Sequence, residues 1–160
     1  MNVPVMQPLV LVLSGIVLAN TALAAAELSM ENASASPGEQ TTVAIRLKTN
    51  GASVTALQFD LEYDVSAFDL NGQAGTAAAS ASKQLKQSDL EKRGKRFILF
   101  GLNHNIVPDG AVIVLALQRK SGATGKSYPI RLKAALATDA SAGSVPLKVV
   151  NQEMVVNFGE

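Results

Sequence analysis

The strongest constraint on the fold is a strict alternation of apolar and polar side chains at residues 57–64, which read LQFDLEYD. Successive side chains of a β-strand point to opposite faces, so this segment has one apolar face and one polar face. That pattern is typical of an antiparallel strand that packs one face on a core and exposes the other to solvent. The segment therefore predicts a half-buried strand of an antiparallel sheet.

The rest of the chain repeats this two-residue period in short runs separated by turn residues. Further strands are predicted at residues 42–48, 97–102, 111–118, 130–136 and 145–158, the last interrupted near Asn151. Residues 112–115 are apolar on both faces, which predicts a central strand, and Asn50-Gly51 predicts a turn. Eight or nine short strands with little helix predict an all-β fold, an antiparallel two-sheet β-sandwich or jelly roll.

One internal stretch lacks the period. Residues 71–82 are rich in Ala, Gly, Ser and Thr, and residues 83–96 are highly charged. We interpret the stretch as a solvated loop, with a short helix or an edge strand as the alternative. A sharper hypothesis is a cationic patch for an acidic partner. Its members would be the six basic residues Lys83, Lys86, Lys92, Arg93, Lys95 and Arg96.

The N-terminus resembles an export signal. The first 26 residues carry no charged side chain, and an apolar run at residues 9–18 precedes the small-x-small triplet Ala22-Leu23-Ala24. This run is shorter than the roughly 20 residues of a membrane span. We predict a signal peptide over residues 1–24 and one domain over residues 27–160, exported to the periplasm or the extracellular space of a bacterium. An uncleaved anchor is the alternative.

The amino-acid composition limits which binding and catalytic functions the chain can have. The chain has 14 basic and 13 acidic residues, which gives no electrostatic reason to expect nucleic-acid binding. It has no Cys and one His, His104, so a His/Cys zinc site is excluded and a catalytic triad would depend on that one residue, which we predict at a loop tip. We expect no enzyme and no cofactor. The alternating acids Asp60, Glu62 and Asp64 leave a Ca²⁺ site or a glycosidase pair as weaker hypotheses.

Several motifs in order resemble the cohesin domain family. The segment 57–64 is followed by Ala67-Phe68-Asp69-Leu70, as in the family's third-strand region. Pro37-Gly38-Glu39 resembles the entry into its second strand, residues 96–101 resemble its Ile-Leu-Phe-containing strand, and residues 109–113 resemble its Asp-Gly turn and core strand. The resemblance covers residues 28–158.

The resemblance implies a jelly-roll sandwich of about nine strands and non-catalytic binding. The partner it implies is a dockerin-like protein module, or a polysaccharide, in extracellular polysaccharide breakdown. Polar third-strand positions of the family's dockerin face fall at Ala56 and Gln58. We predict a partner-binding surface formed by Gln58, Asp60, Glu62, Phe97 and Leu99. A glycan site would instead use the rings of Tyr63, Phe68 or Tyr128. The alternative function is a structural or docking component of a secretion, pilus or envelope assembly.

Overall fold

The structure, a computed structural model, describes residues 24–31, 34–35 and 40–158, with residues 34 and 35 described by their backbone. Apart from Ala24, the predicted signal peptide lies outside the described residues. No helix in the described part is long and apolar enough to cross a membrane.

Twelve strands and one short helix make up the described residues. In chain order they are β1 (Ala26–Met30), β2 (Ser34–Ala35), β3 (Gln40–Lys48), β4 (Ala56–Glu62), β5 (Phe68–Ala74), α1 (Thr76–Ser80), β6 (Gln84–Asp89), β7 (Gly94–Phe100), β8 (Gly110–Arg119), β9 (Ser127–Thr138), β10 (Ser144–Val145), β11 (Leu147–Val150) and β12 (Glu153–Phe158).

These strands form two sheets, which confirms the predicted all-β sandwich. The first sheet has the order β11-β1-β3-β8-β5, and the second has the order β2-β12-β9-β4-β7-β6 with β10 attached to β9. Neighbouring strands are antiparallel except for the pairs β1–β11 and β2–β12. All the strands predicted from the two-residue period are present. The last of them is divided into β10, β11 and β12, and Asn151 at the final break has a φ of 59°.

The core lies between the two sheets. Phe59 of β4 and Phe97 of β7, both at most 1% exposed, stack with ring centroids 5.6 Å apart. β5 of the first sheet comes close to them, since a Cβ at Gly72 would lie 2.6 Å from Cε1 of Phe97. The Gly72 N–H also donates to Oε1 of Gln87 on β6, 3.0 Å away. The two sheets are thus joined along this edge by close packing and a hydrogen bond.

The central position predicted for residues 112–115 is confirmed, because β8 lies between β3 and β5. Val112 and Ile113 are both fully buried although they are neighbours in sequence. The reason is a bulge opposite Ile45 and Arg46, at which the register of β3 and β8 shifts by one residue.

The solvated-loop interpretation of residues 71–96 is wrong for most of its length, and the alternative of a short helix and an edge strand is found. The helix α1 buries Ala77 and Ala78, and the N–H of Gly75 donates to the Val112 carbonyl at 2.9 Å. Among the strands that the structure describes, β6 pairs only with β7, at the edge of the second sheet. Its mostly exposed polar side chains explain why it lacks an apolar period.

Candidate functional site

The outer face of the second sheet, formed by β9, β4, β7 and β6, is the candidate site. The strand register places its side chains in rows across the sheet. One row is Leu136–Gln58–Ile98–Lys86, and the next is Lys133–Asp60–Arg96–Ser88. A third row contains Arg131 and Glu62. The bulge at Ala134, with a φ of 50°, lets β9 keep both Leu136 and Lys133 on this side.

The charged rows are neutralised within the sheet. The Arg96 guanidinium donates two hydrogen bonds to the Asp60 carboxylate, with distances of 2.7 and 2.8 Å. These bonds raise the pKa of Arg96, so its charge is fixed. Lys133 Nζ lies 3.0 Å from Glu62 Oε2. Since these carboxylates already have cationic partners, this end of the face presents ion pairs rather than one sign of charge.

The other end of the face is apolar. Leu136 is 58% exposed, and Ile98 and Phe100 are half-buried on the same side of the sheet. Ala56, the first residue of β4, is also half-buried. Lys86 lies opposite Ile98 and has no ion-pair partner among the described residues. This end therefore combines exposed apolar surface with one uncompensated cation.

The structure brings Gln58, Asp60 and Glu62 together on this outer face, as predicted. The placement of Phe97 and Leu99 is wrong, because both side chains are 0% exposed and belong to the core. The physical reason is the register of β7 against β4. Phe97 lies opposite Phe59 and Leu99 lies opposite Leu57, and both partners point inward.

The residues missed by the sequence analysis are Ile98, Phe100 and Leu136. Both faces of residues 97–100 are apolar, so alternation cannot tell which face of β7 is inward. Leu136 alternates in phase with the inward Ile130 and Leu132, and the bulge at Ala134 reverses its direction. Only the pairing of the strands identifies these three side chains as outward.

The alternating acids do not form a metal site. Asp60 and Glu62 are occupied by Arg96 and Lys133, and Asp64 Oδ1 accepts hydrogen bonds from Ser66, which lower the pKa of Asp64. Among residues 24–31 and 40–158 no group of three or more His, Cys, Asp or Glu side chains comes together. Each of the three carboxylates therefore has a partner within the protein.

The six basic residues of the cationic-patch hypothesis do not form one patch. Lys83 is only 6% exposed, and Lys95 and Arg96 pair with Asp89 and Asp60. Lys92 and Arg93 lie in the turn between β6 and β7. Of this set, Lys86 is the member that lies unpaired on the outer face. His104 is exposed in the connection between β7 and β8, as predicted.

The rings considered for a glycan site are packed together at one end of the sandwich. Phe68 is 0% exposed and stacks on Tyr63 with centroids 5.0 Å apart. Burial, with smaller contributions from Asp89 and Asp69, raises the pKa of Tyr63 to about 12. Tyr128 is half-buried, and its hydroxyl accepts a hydrogen bond from the Gly125 N–H at 2.7 Å. Through these contacts the rings pack in the core or hold a loop in place. Phe68 is buried and is therefore not available to a glycan.

Solved structures share the fold at low sequence identity. The sixth cohesin of scaffoldin B from Acetivibrio cellulolyticus, solved with a mutant Cel5 dockerin, is 21% identical with a TM-score of 0.70, covering 85% of this chain and 100% of that one. The cohesin of the type I Coh-OlpA-Doc918 complex from Clostridium thermocellum is 20% identical, with a TM-score of 0.70 and coverage of 85% and 100%. A non-cellulosomal cohesin from the archaeon Archaeoglobus fulgidus is 13% identical, with a TM-score of 0.69 and coverage of 86% and 93%.

The sequence itself matches one family model. Comparison with curated protein sequences returns no match. The model of the cohesin domain matches residues 26–156, which is nearly the whole described chain and confirms the resemblance seen in the motifs. The chain therefore belongs to the cohesin domain family.

Proposed function

We propose that this chain is an exported, non-catalytic binding module that holds a dockerin-type protein module on the outer face of its second sheet. The observation that supports this most directly is the row Leu136–Gln58–Ile98, where exposed apolar surface lies beside ion pairs on a continuous sheet. Protein interfaces typically combine an apolar centre with polar groups around it. The partner class comes from the family and from the dockerins present in the related complexes.

The pKa shifts of Asp64, Asp109 and Tyr63 do not prepare these groups for catalysis. Catalytic acids and bases need pKa values near the working pH. Here hydrogen bonds lower the pKa values of Asp64 and Asp109, and burial raises that of Tyr63 to about 12. Each of these shifts keeps the group in its ordinary state at neutral pH, so none of the three is prepared for proton transfer.

The proposed location is outside the cytoplasm, in the periplasm or the extracellular space, after cleavage behind Ala24. Such a module would attach a dockerin-bearing protein, in the family's best-known setting a polysaccharide-degrading enzyme. The Archaeoglobus fulgidus relative is described as non-cellulosomal, so the proposal does not require a cellulosome. Direct polysaccharide binding is not part of the proposal, because the candidate rings are packed into the fold.

The experiment that tests the proposal uses the exported protein and a panel of purified dockerin modules. The panel contains the Cel5 dockerin, Doc918 and every dockerin module encoded in the genome that encodes this chain. We expect the secreted protein to begin at residue 25 and to bind at least one module with a Kd at or below about 1 μM, equivalent to roughly 8 kcal/mol. Absence of binding to the entire panel at about 100 μM would refute the proposal.

A further inference from the structure

The side chains of Lys83 and Asn103 meet at a buried contact. Lys83 lies between α1 and β6, and Asn103 lies in the connection between β7 and β8. Lys83 is only 6% exposed, and its Nζ donates to Asn103 Oδ1 at 2.9 Å and to the Asn103 carbonyl oxygen at 3.2 Å. Since a C=O bond measures about 1.23 Å, Nζ lies no farther than about 4.1 Å from Cγ of Asn103. Reacting atoms approach to about 3–3.5 Å, so the amine and the amide carbon are close to reacting distance.

The surroundings of Lys83 favour the neutral amine. Its two acceptors are the neutral oxygens of Asn103, and none of the carboxylates in the described part of the chain forms an ion pair with it. Burial lowers the pKa of Lys83. The neutral amine carries the lone pair that a nucleophile needs, and it is therefore more populated here than in an exposed lysine.

The amide of Asn103 is held in place and polarised by its neighbours. The backbone N–H of Asn105 donates to Asn103 Oδ1 at 3.1 Å, and Asn103 Nδ2 donates to the Ser82 carbonyl at 3.1 Å. When an amine adds to Cγ, negative charge develops on Oδ1, where the Asn105 N–H donates in the manner of an oxyanion hole. The lysine stem is also confined, because a Cβ at Gly101 would lie 3.0 Å from Lys83 Cδ.

We propose that Lys83 and Asn103 form an intramolecular isopeptide bond, which converts this contact into a covalent cross-link. The amine of Lys83 adds to Cγ of Asn103, and the Nζ–Cγ bond forms. The Cγ–Nδ2 bond then breaks, one proton passes from Nζ to Nδ2, and ammonia leaves. The reaction needs no oxidant, reductant or second substrate, and the inference does not depend on the proposed function.

The geometry supplies the main acceleration of this reaction. Two groups held in a productive orientation react as if at a concentration of about 10⁵–10⁸ M. No carboxylate is paired with Lys83 to carry protons, so we expect a slow reaction that becomes faster as the pH rises and more of the lysine is neutral. Freshly purified protein should therefore be unreacted. The bond would close a loop over residues 83–103 and, like a disulfide, stabilise the fold by constraining the unfolded chain.

The test follows the intact mass of the purified exported chain during incubation for several days at neutral pH and at about pH 9.5, closer to the ordinary pKa of lysine. We expect the mass to fall by about 17 Da, the mass of the ammonia that is lost, and to fall faster at the higher pH. Proteolysis of the product should release one peptide in which residues 83 and 103 are linked. The melting temperature should rise in step with the cross-linked fraction.

Two matched variants identify the lysine that reacts. Lys83→Arg keeps a cation that can donate hydrogen bonds but cannot lose its proton, so the loss of mass should disappear. Lys86→Arg makes the same change at an exposed position of β6 and should leave the loss of mass unaltered.

The wild-type measurement decides the inference even if a variant folds poorly. An unchanged mass after incubation at alkaline pH would overturn it, and so would a gain of about 1 Da alone, which indicates deamidation by water. A loss of ammonia that persists in Lys83→Arg would also overturn it, because the reaction would then occur elsewhere in the chain. Dockerin binding is measured separately, so none of these outcomes decides the proposed function.

Discussion

The two ends of the outer face of the second sheet are built differently. At one end Asp60, Glu62 and their cationic neighbours satisfy each other within the sheet. At the other end Leu136, Ile98 and Phe100 have only partial cover. Paired charges at a surface contribute roughly 0–1 kcal/mol, whereas exposed apolar area gains about 25 cal/mol per Å² when a partner covers it. From this difference we expect that affinity for the proposed partner comes from the apolar end and orientation from the charged end.

This comparison depends first on which side chains of β7 face outward. We expect Phe97→Ala to lower the free energy of unfolding by about 3–5 kcal/mol, because it opens a cavity beside Phe59. Ile98→Ala should lower it by about 1 kcal/mol or less, because Ile98 is only half-buried. Urea denaturation of both variants measures the difference. Similar losses for the two neighbours would show that the register of β7 is misplaced.

A charge placed at the apolar end should remove binding. Leu136→Asp puts an unpaired carboxylate in the middle of the expected contact, and we expect at least a 100-fold increase in the dockerin Kd, about 2.8 kcal/mol or more. Titration calorimetry is the measurement. Thr42→Asp adds the same charge to an exposed position of β3 in the first sheet and serves as the control. A larger effect from Thr42→Asp would indicate that the binding site lies on the first sheet.

Substitutions at the charged end should change dockerin binding less than substitutions at the apolar end. Asp60→Asn leaves Arg96 without its carboxylate, and we expect only a small loss in stability, because solvent screens this surface pair. We also expect a change of less than about fivefold in the dockerin Kd, mostly through the association rate and its dependence on salt. Stopped-flow binding at low and high salt resolves this. A loss as large as that of Leu136→Asp would reverse the roles of the two ends.

Lys83 lies between α1 and β6 and is only 6% exposed, and its buried charge predicts a dependence of stability on pH. Because burial lowers its pKa in the folded chain, the unfolded chain binds more protons between that lowered pKa and 10.5. The stability of the wild-type chain should therefore rise relative to Lys83→Met as the pH rises from neutral into that window. Denaturation of both proteins at pH 7 and at about pH 10 tests the sign. A relative fall would mean that the ammonium is favoured in the fold.

The smallest expected effect concerns polysaccharides. We expect no retention of the domain on cellulose or chitin beads, because Tyr63, Phe68 and Tyr128 are held in a packed cluster. Retention that Tyr128→Ala abolishes would contradict this and would place a glycan site at that end of the sandwich.

The sequence predicts most of the fold because the core strands obey the two-residue period, as β4 shows between Ala56 and Glu62. It favours a solvated loop where β6 and α1 lie and leaves an edge strand or a short helix as the alternative, since an exposed edge strand needs no apolar face and Ala-rich segments occur in helices and in loops alike. Within the site it identifies Gln58, Asp60 and Glu62 from one strand. It fails for Phe97 and Leu99, because the orientation of β7 depends on pairing with distant residues.

The measurement that tests the central claim most directly is a ¹H–¹⁵N chemical-shift titration of the isotope-labelled domain with its tightest dockerin. The account predicts that the perturbed amides lie on β9, β4, β7 and β6, with the largest changes near Leu136 and Ile98. Perturbations concentrated on β3, β8 and β5 of the first sheet would contradict it.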